Sequence, residues 1–114
     1  MKLEHETVQN IEQHLLKIFS RHLGDLTGVK LFFFGSRVKG DSQPGSDIDV
    51  GIDVGKPLHL EILGRIDDDL EELPFLYKIQ VVDFHSVDAQ FRSVALQHIQ
   101  PFISPYGKVS GPAS

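Results

Sequence analysis

Between Val29 and Val54 the chain passes from an apolar run, VKLFFF, through a twelve-residue polar loop, GSRVKGDSQPGS, into DIDVGIDV, where apolar and polar positions alternate. An apolar run rich in aromatic residues predicts a strand buried on at least one face. Period two predicts a second strand, Asp47 to Val54, with one face in a core. The loop between them is too irregular for a tight hairpin, yet two such strands commit the chain to a sheet. Every other element must then be read as packing on it.

The remaining segments supply the covering layers. From Thr7 to Leu23, Val8, Ile11, Leu15, Phe19 and Leu23 recur at helical spacing, Ile18 widens the stripe, and Gly24 ends it. A second helical pattern runs from Leu58 to Leu73 on Ile62, Leu63, Ile66, Leu70 and Leu73, and Pro74 stops it. IQVVDF, Ile79 to Phe84, reads as a third strand. Ser86 or Asp88 can cap a last helix reaching about Ile99, closed by Pro101. The expected order is helix, strand, strand, helix, strand, helix. That is an α/β fold of one domain, residues 1–103, with helices on one or both faces of the sheet. The tail 104–114, SPYGKVSGPAS, holds two prolines, two glycines and three serines and is expected to be loose. So small a sheet leaves edges that a partner or a second copy of the chain can cover, although nothing in the sequence demands a homo-oligomer.

Composition narrows the function classes. There is no cysteine, which excludes disulfides, thiolate metal sites and a cysteine nucleophile. No apolar run approaches the roughly 20 residues of a membrane span. MKLEHETVQN does not read as a secretory signal, so a cytoplasmic protein is expected. The net charge is −5, and residues 41–114, with five basic and twelve acidic groups, carry all of the excess. An acidic chain is a poor non-specific binder of nucleic acid. A nucleotide remains open to it, because a divalent metal inverts the local field.

The chemistry concentrates in GSRVKGDSQPGSDID, Gly35 to Asp49. Side chains two apart on a strand share a face, so Asp47 and Asp49 stand together with Ile48 turned to the core. Two adjacent carboxylates repel unless a cation lies between them, and hard oxygen donors suit magnesium or manganese, above all where substrate phosphates complete the shell. Gly35 lets backbone approach a phosphate, and the Ser36 hydroxyl adds a donor. Arg37 and Lys39 are placed to neutralise phosphate oxygens. The loop is no Walker A loop, since Asp41 stands where the lysine belongs, and it is not expected to open a helix as a dinucleotide fingerprint does. Asp53 lies too far along the strand, and His85, Tyr77 and Tyr106 carry little weight. The Asp67–Asp69 run with Glu71 and Glu72 reads as a solvated helix face or a surface for a basic partner.

This stretch resembles the signature of the nucleotidyltransferase superfamily of DNA polymerase beta and kanamycin nucleotidyltransferase. Within it the chain is similar, over about Val29 to Ile99, to the minimal nucleotidyltransferases of bacteria and archaea. The resemblance implies a short mixed sheet flanked by helices, a nucleoside triphosphate held at Gly35 and Ser36, and magnesium bound by Asp47 and Asp49. It further implies transfer of a nucleoside monophosphate to a hydroxyl, in toxin–antitoxin members on a helical HEPN-type partner. One position departs from the pattern. The third carboxylate of the family falls on Gln80, and Asp83, three residues on, has the opposite strand parity. Asp83 completes the catalytic set only if a bulge brings it round. Otherwise an antitoxin-like binding module, with transfer weak or lost, is the competing expectation.

Overall fold

A computed structural model describes residues 1, 3–40, 46–103 and 109–110. The first amphipathic pattern forms α1, Val8–Leu23. Thr7 caps it by accepting a hydrogen bond from the Asn10 N–H, and Gly24, at φ 77°, turns the chain out of it. The apolar run becomes β1, Lys30–Phe34, and the alternating run becomes β2, Ile48–Asp53. Between them lies a one-turn helix, α2, Ser36–Lys39, where the sequence suggested only loop. The second amphipathic pattern forms α3, Leu60–Glu71, which leads into β3, Ile79–Asp83.

The last helix is shorter than expected. α4 spans Ala89–Ala95, with Asp88 accepting from the Phe91 N–H at its start. A turn then carries the chain into β4, Gln100–Ile103, a strand that the sequence reading took for a helix end closed by proline. Pro101 lies in that strand, opposite Phe32. The expected loose tail falls outside the described residues except for Val109–Ser110, which forms the two-residue strand β5.

The strand order is β3-β2-β1-β4-β5. β1 runs antiparallel to β2 and β4, and β2 runs parallel to β3, so the sheet is mixed and α3 makes the crossover. Its two faces bury different cores. Leu31, Phe33, Ile48, Val50 and Ile52 point to α1 and α3, where Ile11, Leu15, Phe19 and Ile66 are fully buried. Phe32 and Phe34 point the other way and pack with Phe84 against Ala95 and Leu96 of the α4 region. Gly51 makes that second core possible, because a Cβ there would overlap the Phe32 ring and come within 2.9 Å of Phe84 Cδ1. The result matches the α/β architecture expected from the sequence, with β4 and α2 as additions.

Candidate functional site

β1 ends against the start of β2, with Phe34 directly opposite Asp49. The next residue, Gly35, has φ 85° and ψ −162°, a combination that is essentially confined to glycine. A Cβ there would overlap the Asp49 carboxylate, lying within 3.2 Å of its Cγ. The backbone of the Gly-Ser turn therefore rests on the Asp49 side chain itself. α2 follows as a single turn, closed by Lys39 N–H to Gly35 C=O at 3.0 Å and Gly40 N–H to Ser36 C=O at 2.9 Å.

Asp47 is exposed just before β2 and Asp49 is half-buried within it, on the face opposite Ile48 and Val50. Burial pushes the Asp49 carboxyl above its ordinary proton affinity, and the negative charge of Asp47 adds to the effect. Gly35 is thus set against Asp49, and the Asp47 charge is near enough to bear on that carboxyl. Gln80 pairs with Asp49 across the parallel β2–β3 ladder, so an amide stands beside the carboxylate.

Two residues grouped with this site in the sequence lie elsewhere. Asp83 pairs with Ile52, on the α1/α3 face, and no bulge brings it toward Asp49. Its oxygens accept from Leu58 N–H at 3.0 Å, His85 N–H at 3.0 Å and the Ser86 hydroxyl at 2.8 Å. This carboxylate ties the loop before α3 to the end of β3. Arg37 is the second correction. Instead of pointing at a phosphate, its side chain is 1% exposed and stacks over the Tyr77 ring at 4.6 Å. Its Nε donates to Ser46 C=O at 2.8 Å and one Nη to Glu4 at 3.1 Å, while the other Nη is buried with no partner among the described residues. The guanidinium in turn holds the Glu4 carboxyl below its usual range. Tyr77, given little weight in the sequence, organises this cluster by accepting from the Glu4 and His5 N–H groups.

Asp53 continues the Asp49 face but is used locally, accepting from Gly55 N–H at 2.8 Å with His85 Nδ1 at 3.7 Å. Lys39 borders a cleft of about 390 Å³ that opens between the Gly35–Ser36 turn and α4. Phe91 and Val94 of α4 line its other side, and the helical spacing gave no signal that they would. Among the described residues, no three His, Asp or Glu side chains gather as a metal cluster. No helix among them is long and apolar enough to cross a membrane.

Comparison with known proteins adds to this geometry. The family model described as polymerase beta, nucleotidyltransferase, matches residues 7–104. A crystal structure of a toxin-antitoxin with AMP-PNP is similar to this chain at a TM-score of 0.62 and 17% identity, covering 78% of this chain and 69% of that one. A structure described as a minimal nucleotidyltransferase is similar at a TM-score of 0.60 and 22% identity, covering 83% and 92%. At these identities the likeness is one of fold. Curated protein sequences show no significant match.

Proposed function

The chain belongs to the polymerase beta nucleotidyltransferase family, and from that premise we propose that it is a metal-dependent nucleotidyltransferase. It would move a nucleoside monophosphate from a nucleoside triphosphate to a hydroxyl and release pyrophosphate. The observation that carries this reading is the seating of Gly35 on the Asp49 carboxylate, which sets a phosphate-binding turn against a pair of hard oxygen donors. The donor set fits magnesium. Burial and the neighbouring Asp47 charge raise the cost of ionising Asp49, which a dication relieves, and magnesium keeps sites for water and phosphate when only two protein carboxylates bind it. When bound, it would supply neutralisation of charge on the phosphate oxygens. Gly35 and Ser36 receive the triphosphate, and Gly35 holds its reacting end close to Asp49 without a side chain in the way.

The acceptor hydroxyl has no binding domain of its own among the described elements, which favours a partner protein as its source. A helical HEPN-type toxin is the proposed partner, in keeping with the toxin-antitoxin structure that shares this fold. A second reading rests on a specific observation: Gln80 stands beside Asp49, and Asp83 is held on the other face by three donors. The chain would then act as an antitoxin-like cover for its partner, with transfer weak or absent. Incubation with labelled nucleoside triphosphate, magnesium and the partner separates the two. Covalent label on the partner supports the enzyme, and a stable complex without label supports the module.

A further inference from the structure

The cleft beside the Gly35–Ser36 turn extends beyond the residues used in that reading. Its volume of about 390 Å³ lies in the range of small-molecule pockets. α4 contributes two apolar side chains that stay open, Phe91 at 43% and Val94 at 61% exposure. Phe91 is nonetheless braced. Its ring meets Phe34 edge-on, with centroids 6.2 Å apart at 84°, and Phe84 at 5.9 Å and 53°, both of them buried. Arg92, its neighbour, donates to the Phe84 carbonyl and fastens α4 to the end of β3. A ring that is fixed in place yet exposed offers a stacking surface at low cost in ordering. None of the described residues lining the cleft is a carboxylate; Ser36 and Lys39 stand at its turn side, and Gln97 and His98 add hydrogen-bonding groups beside the apolar Phe91 and Val94.

We propose that this cleft seats the nucleoside end of the nucleoside triphosphate, with the base against Phe91. The inference rests on the phosphate-site reading above and adds the residues that recognise the rest of the molecule. Continuity carries it. Gly35 and Ser36 belong both to the phosphate turn and to the cleft wall, so a triphosphate anchored at the turn leaves its nucleoside within reach of α4. The division of charge agrees, since the carboxylates stand beyond Gly35 while the cleft offers aromatic and amide groups. Stacking on an aromatic side chain tolerates any base, and the Gln97 and His98 groups are placed to discriminate among base edges.

The test uses the full chain with magnesium, titrated calorimetrically with inorganic tripolyphosphate and, in turn, with ATP, GTP, CTP and UTP. The best nucleotide is expected to bind about tenfold or more tightly than tripolyphosphate, the size of one base stack. Phe91→Ala should bring that nucleotide down to the tripolyphosphate level and leave tripolyphosphate itself unchanged. Val94→Trp, at an exposed position, should do the same by filling the cleft, which guards against a Phe91→Ala variant that loosens α4. If every nucleotide binds no better than tripolyphosphate, or if the preference survives both variants, the cleft assignment is overturned while the phosphate site stands. If neither tripolyphosphate nor any nucleotide binds the wild type, the phosphate site falls and the cleft assignment with it.

Discussion

The two faces of the sheet hold charged groups in opposite conditions. On the face toward α1 and α3, Asp83 accepts three hydrogen bonds, and Arg37 lies over Tyr77 in the same core with bonds to Ser46 and Glu4. On the other face, Asp49 is half-buried beside a second carboxylate and binds its proton more tightly than usual. Partnered charges of the first kind hold a fold together. A pair of like charges left beside one another is instead a standing cost that some ligand must offset, which marks a site.

That contrast can be broken by substitution. The largest effect is expected on the partnered side. Arg37→Met removes the stack on Tyr77 and both hydrogen bonds, and should destabilise the fold by on the order of 3 kcal/mol, read by chemical denaturation. A cost below about 1 kcal/mol would mean that Arg37 is not the structural member that its burial suggests. Next is Gly35→Ala, where a Cβ must displace Asp49 and the backbone sits in glycine-only territory. About 1–3 kcal/mol of stability should be lost, together with any magnesium-induced rise in melting temperature.

Exchanging the two carboxylates for amides gives the cleanest comparison. Asp83→Asn should cost about 1–2 kcal/mol, since the amide nitrogen faces donors it cannot accept from. It should leave the magnesium response intact. Asp49→Asn should leave the metal-free fold as stable as before or slightly more so, and abolish the magnesium response. Equal behaviour of the two variants would erase the distinction between the faces.

The smallest effect is in pH. The folded carboxyl of Asp49 lies above its unfolded value, so its contribution to stability is present at low pH and is lost as pH rises through the raised folded value. Asp69 has the opposite sign. His22 and Arg21 bond to its carboxylate and lower its proton affinity, so its contribution is lost as pH falls through the depressed value. Without metal, the melting temperature of the wild type relative to Asp49→Asn should therefore decline as pH rises from the ordinary carboxylate value through the raised one. A flat difference would show that Asp49 is not strained by its surroundings.

The sequence made much of this visible, because periodicity reports faces and faces decide cores. α1, β1, β2 and β3 lie close to their expected bounds, and the alternation of β2 put Asp49 on the face opposite Ile48 and Val50. Long-range partners were not legible. Arg37 looks like any basic loop residue until Glu4 and Tyr77, distant in sequence, close over it. The α2 turn hid in residues that equally make loops. β4 hid behind Pro101, whose usual meaning after a helix is a stop, although proline is tolerated where a short strand needs no donor from it. Gln80 was read from its position alone, and the β2–β3 register places it beside Asp49.

Gly51 shows how far from a ligand a recognition defect can begin. The absence of a side chain there lets the Phe32 and Phe84 rings close over the strand edge-to-face, and those rings and Phe34 are the bed on which α4 rests. A substitution at Gly51 would touch neither turn nor cleft, yet it would lift the bed and tilt the wall above it. In a genetic screen such a variant would score among the site mutants, although its lesion is a single methyl group inside an aromatic layer.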